Sequence, residues 1–180
     1  MKKEEIDEIL RKHVLWLDSK DEGERADLCG SDLHEANLSD TNMTEADLYG
    51  ANLSEANLRG ANLNEADLRW AKLSKANLRD TNLRNANLTN AHMAFADLRV
   101  ADLRWAYLRS ANLEGADLRG ANLSEADLRD TNMRCADLSG AYLRRTDLRG
   151  VDLRGAKMNR QDMDSASLTK EQRDSIIISD

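Results

Sequence analysis

From Leu28 to Leu168 every fifth residue is leucine or methionine, without a skip. The run has 29 positions, five of them methionine (Met43, Met93, Met133, Met158 and Met163). Two residues before each stands an alanine in 22 cases; the exceptions are Ser31, Thr41, Thr81, Thr131, Thr146, Val151 and Gln161. The place between is mostly Asp or Asn, so the stretch from Ala51 to Leu73 reads ANLSE ANLRG ANLNE ADLRW AKL. A period of five suits neither common element. On an α-helix five residues advance about 500°, so successive leucines define no face. On a strand five is odd, and successive leucines would point to opposite sides. The pattern is satisfied if the chain turns a corner within every pentad and each leucine returns to one shared axis. Such a strict short repeat marks a solenoid, in which no repeat buries its apolar side alone and stacking makes the core.

The A(D/N)LXX pattern resembles that of the pentapeptide-repeat proteins, and the resemblance spans about four-fifths of the chain. It implies an all-β solenoid, a right-handed quadrilateral β-helix with four pentads per coil. The central Leu and the small residue before it would both point inward. The 29 pentads would make about seven coils, a rod about 34 Å long at a strand spacing of about 4.8 Å.

Residues 1–24 lie outside the repeat. Ile6, Ile9, Leu10, Val14 and Leu17 recur at helical spacing, which predicts an amphipathic helix from Lys3 to Leu17 and then a polar turn. Leu15 and Trp16 fall off that stripe. Residues 25–169 are read as the β-helix and 170–180 as a helical C-terminal tail. Within the tail Thr169 followed by Gln172 is a capping-box signature, and Ile176–Ile178 either closes the last coil or supports a homodimer contact. Terminal elements of this kind cover the open ends of a solenoid. Eight of the nine glycines end a pentad, where a corner requires turn geometry. Asn37, Asn57 and Asn77, at twenty-residue spacing, are placed to stack as a ladder of amides.

The search for chemistry finds little. His13, His34 and His92 are scattered, no Ser or Cys neighbours a His as a nucleophile–base pair would require, and phosphate-loop, dinucleotide and zinc spacings are missing. The expectation is a protein that is no enzyme and uses no cofactor or metal. No apolar run reaches membrane-spanning length. Cys29 and Cys135, separated by about five coils on such a fold, are beyond disulfide reach, which with the lack of a signal segment points to the cytoplasm.

Charge divides the rod. Residues 21–68 hold 12 acidic and two basic residues, and residues 69–160 hold 11 acidic and 17 basic. Some pentapeptide-repeat proteins resemble duplex DNA in shape and charge and bind bacterial type II topoisomerases such as gyrase. That mechanism favours an acidic face along the rod, and the column Asp27, Asp47 and Asp67 comes nearest to one. Arg69, Arg109, Arg129 and Arg149 oppose it further along. The projecting loops and central-column phenylalanines of the topoisomerase-binding relatives are missing here. Direct nucleic-acid binding is not expected, because the Arg59, Arg79, Arg99 and Arg119 column is accompanied by Asp80, Asp97 and Asp117. Trp70, Phe95, Val100, Trp105 and Tyr107 all occupy outward places. Aromatic residues beside arginine are the composition of interface anchors. Trp70, Arg104, Trp105, Tyr107 and Arg109 are therefore the candidate patch of a protein-interaction scaffold, with the topoisomerase-binding DNA mimic as the alternative.

Overall fold

The computed structural model describes residues 1–179. Its repeating unit is a hydrogen-bonded turn. In each pentad the N–H of the Ala-place residue donates to the carbonyl of the Leu three residues earlier, as Ala36 does to Leu33 and Ala51 to Leu48, both at 3.0 Å. The third residue of each turn has positive φ, from Asn85 at 54° to Gly150 at 72°, which is the φ signature of a type II turn. The Asp or Asn between carries the pairing. Its side-chain oxygen accepts the backbone N–H two residues on, as Asp67 does from Arg69 at 3.1 Å, which fixes the entry to the corner.

Successive coils pair in parallel at a shift of twenty residues, from Asp27↔Asp47 through to Asp137↔Lys157. Four pentads therefore complete one coil, and each coil has four sides. Inside, the alanine and leucine columns are almost wholly inaccessible. Small residues sit where the backbone corners crowd together, and leucines fill the middle. Threonines in the alanine column are accommodated because each hydroxyl has a carbonyl within reach: Thr81 donates to Leu58 at 3.1 Å and Thr146 to Leu123 at 2.8 Å. A buried hydroxyl without such a partner would cost about 1–3 kcal/mol.

Helix α1, Lys3–Leu17, packs against the first coil. Its buried side differs from the sequence expectation. Ile6, Ile9 and Leu10 face the core, but Val14 is 45% exposed and His13 is wholly buried in its stead. The series 6, 9, 10, 13 continues one helical stripe, while residue 14 is rotated about 100° off it. Trp16 stacks on His13, with ring centroids 5.6 Å apart.

At the other end the leucine column outlasts the solenoid, which departs from the reading of 25–169 as β-helix. The last paired coil position is Lys157, in the two-residue strand β1 (Lys157–Met158), and α2 follows at Arg160–Ser165. Asn159 starts α2 by accepting the Asp162 N–H at 2.8 Å. Gln161 would have put an amide into the alanine column; on α2 it is exposed, while Met163 still reaches the core from the helix. Helix α3, Lys170–Ser175, begins at Thr169 with its reciprocal Gln172 contact. Gln172 Nε2 also donates to the Leu148 and Val151 carbonyls at 3.0 and 3.1 Å, satisfying the edge of the last coil. Strand β2, Ile177–Ile178, then pairs in parallel with β1. Ile176 packs against the core, whereas the side chains of Ile177 and Ile178 remain exposed.

Candidate functional site

The sides of the rod are defined by their ladders. One side carries Asp27, Asp47, Asp67, Asn87, Tyr107, Asp127 and Asp147 in paired register. Trp105 occupies the corner that enters this side and Trp70 the corner that leaves it, both at positive φ. Tyr49 lies on the same side, following Asp47 in its pentad. Four exposed aromatic residues thus share one side and its edges: Tyr49 at 41%, Trp70 at 52%, Trp105 at 39% and Tyr107 at 53% exposure. They are spread over three coil spacings, about 15 Å. Phe95 and Val100, also outward, belong to other corners. The Phe95 ring lies over Gly115, where an added Cβ would approach within 2.5 Å of Cε1. Tyr142 stands in the Asn122 ladder on another side.

Between Trp70 and Trp105 the Asp27 side is uncharged: Asn85, Asn87, Thr89 and Asn90 are all amides or hydroxyls. Two guanidinium groups approach the Trp105 ring, Arg84 at 4.9 Å and Arg104 at 5.6 Å from its centroid. Its indole N–H donates to Glu125 at 3.3 Å. Arg104 is in turn fixed by Asp102, Nε to Oδ1 at 2.8 Å. Arg69 lies over the Tyr49 ring at 5.4 Å, and Arg109 faces Asp130 at 3.6 Å. The patch is therefore an ordered aromatic and cationic surface with an uncharged centre.

The acidic column and the aromatic patch turn out to occupy one side, a coincidence that sequence reading treated as two separate features. The column itself is uneven. Asp27 has no ion pair among the described residues, and Asp47 only a 4.0 Å contact with Arg25. Asp67 is engaged by Arg69, Nε to Oδ1 at 2.8 Å. That contact recurs wherever a pentad reads DLR: Asp97–Arg99, Asp117–Arg119, Asp127–Arg129, Asp147–Arg149 and Asp152–Arg154 are bonded in the same way. The Arg side chain leaves the corner and folds back on the carboxylate two residues before it. These bonds hold the carboxyls of Asp67, Asp97, Asp117 and Asp127 below the usual carboxylate range, and that of Asp147 at about 2.

The described residues contain no cluster of His, Cys, Asp and Glu able to hold a metal. Two hollows, of about 410 and 430 Å³, lie where the terminal elements meet the rod, one beside Ile6, Leu33 and His34, the other beside Tyr142, Arg144 and Gln161. His34 is engaged through Nδ1 with the Ser54 carbonyl at 2.7 Å. Cys29 and Cys135 are free and exposed. Among the described residues no helix is long and apolar enough to cross a membrane.

The repeat is decisive for kinship. The pentapeptide repeats family matches in eight copies that together tile residues 24–169. The chain is a pentapeptide repeat protein. Members of this family form right-handed quadrilateral β-helices, which agrees with the four-sided coil described above. Among solved structures, the pentapeptide repeat protein alr5209 from Nostoc PCC 7120 is 35% identical, with a TM-score of 0.51, over 60% of this chain and 84% of that one. Rfr23, a pentapeptide repeat protein from the cyanobacterium Cyanothece 51142, is 29% identical, with a TM-score of 0.50, over 74% and 88%. QnrB1, a plasmid-mediated fluoroquinolone resistance protein, is 24% identical, with a TM-score of 0.46, over 78% and 83%. A comparison with curated proteins gives no match.

Proposed function

We propose that this pentapeptide repeat protein is a non-enzymatic scaffold that binds another protein through the Asp27 side, with Trp70, Arg104, Trp105, Tyr107 and Arg109 as its anchors. The observation that carries this reading is the gathering of four exposed aromatic residues on one side around an uncharged centre. Tryptophan and tyrosine bring large contact area with few rotors to freeze, and arginine brings directional donors, which is why these types dominate interface hot spots. A rod of about seven coils, sealed by α1 at its start and by α2, α3 and β2 at its end, would present that side as a rigid plane. The exposed Ile177 and Ile178 leave the C-terminal end as a place for a second copy to associate. The compartment in this reading is the cytoplasm.

A second reading, a DNA-mimicking ligand of a type II topoisomerase, is favoured by one feature: Asp27 and Asp47 keep their charge largely uncompensated at the acidic end of the same side. The two readings separate in an affinity capture from cytoplasmic extract with wild type beside Trp105→Ala/Tyr107→Ala, paired with a gyrase supercoiling assay. The scaffold reading expects a partner retained by wild type and lost from the variant, with β-type circular dichroism unchanged and supercoiling unaffected. Topoisomerase subunits retained equally by both, with supercoiling altered at micromolar protein, would transfer the function to the acidic column.

A further inference from the structure

From Ser31 to Ala156 every alanine-column N–H has the Leu or Met carbonyl three residues earlier as its acceptor. Ala26 opens the first pentad and has no such leucine behind it. Its N–H, almost wholly buried, donates instead to Nδ1 of His13 at 3.0 Å. The imidazole of α1 thus takes the acceptor place that a preceding repeat would fill. An imidazole can accept at Nδ1 only when that nitrogen carries no proton, so the proton of the neutral ring resides on Nε2. Nε2 is buried with no hydrogen-bond partner among the described residues, and the Thr44 backbone lies close to the ring.

We infer that the docking of α1 onto the first coil is a pH-dependent latch, closed by neutral His13 and released when the imidazole is protonated. Protonation at Nδ1 does two things at once. It turns the acceptor into a donor facing the Ala26 N–H, leaving that buried group orphaned, and it places a cation in a site of zero exposure. Few charges face the ring to compensate. From the rod, Glu45 favours the cation; from the turn, Arg25 opposes it. On α1 the ring meets Trp16, and the neighbouring Lys12 is occupied with Glu24 at 3.0 Å. Burial accordingly pushes the imidazole below its ordinary value, outweighing the Thr44 carbonyl and Glu45. The sign follows from linkage. The proton prefers the undocked state, so docking is fully present above the free imidazole value of about 6.5 and weakens by up to about tenfold per pH unit below it.

The test is amide hydrogen exchange on the full chain between pH 7.5 and 5.0, corrected for intrinsic rates, with mid-rod amides such as Leu88 and Leu98 as internal controls. The expected result is loss of protection at Ala26 and along α1 as pH falls, with the mid-rod amides unchanged. In His13→Asn, whose Oδ1 can accept from Ala26 without titrating, protection of α1 is expected to be independent of pH over that range. Equal protection of α1 at both pH values in wild type would overturn the inference, as would an identical loss in His13→Asn. If the variant fails to dock even at pH 7.5, the ring nitrogens of wild-type His13 decide by NMR. Titration coincident with loss of the α1 amides supports the latch, and titration without that loss overturns it.

Discussion

At the scale of single residues the pentad is a division of labour. The small residue lets two corners approach, the leucine fills the axis, and the Asp or Asn between them ties the strand to its turn and to the next coil. Asn57 shows all three of its bonds: Nδ2 to Asn37 Oδ1 at 3.0 Å, Oδ1 accepting from Asn77 Nδ2 at 3.0 Å, and Oδ1 accepting the Arg59 N–H at 3.3 Å. Replacing it with alanine leaves neighbouring amides short of partners in a half-buried ladder. Asn57→Ala is expected to lower stability by about 1–2 kcal/mol, read as a shift of the urea midpoint without a change of slope. The ladder was legible in the twenty-residue spacing of Asn37, Asn57 and Asn77, because parallel coils in register must bring equal places together. The role of His13 was not legible. A histidine on a helical stripe looks the same whether it packs inertly or accepts the first N–H of a solenoid, and only the approach of α1 to Ala26 distinguishes the two.

Among elements, the coil side is the unit that carries charge. The arginines of the DLR pentads are bonded first within their own pentad, because the left-handed corner after the arginine directs its side chain back over the Asp two residues before. These are surface pairs, individually weak because solvent screens them, yet they repeat along the rod. Their folded-state carboxyls titrate below the unfolded value, so their contribution is present above about pH 4 and disappears as pH falls toward about 2, the value of Asp147. In His13→Asn, whose α1 contact does not titrate, the melting temperature of the rod is therefore expected to stay level from pH 7 to about 5 and then to decline between about pH 4 and 2. Circular dichroism melts at stepped pH check this, and a decline that begins near neutrality would contradict it. The terminal elements obey a different rule. Helix α2 interrupts a column that still reads Met163 and Leu168, because an N-capping Asn159 and a poorly buried Gln161 make the helix the better use of those residues.

Across the whole molecule the core is one continuous stack, in which each coil touches only its neighbours. Leu88 lies in the middle of that stack with no exposed surface. Leu88→Ala leaves a cavity that a rigid coil cannot close and is expected to cost about 2–5 kcal/mol, measured by urea unfolding. The solenoid, its inward columns and its twenty-residue register were already written in the repeat, and the helices at Lys3–Leu17 and after Thr169 in an apolar stripe and a capping box, since each follows from local chemistry at fixed spacing. Where the rod ends and what His13 accepts emerge only from the folded chain. Those outcomes depend on which surfaces meet when coils close and helices dock, and a residue's neighbours across space are not encoded in its neighbours along the chain.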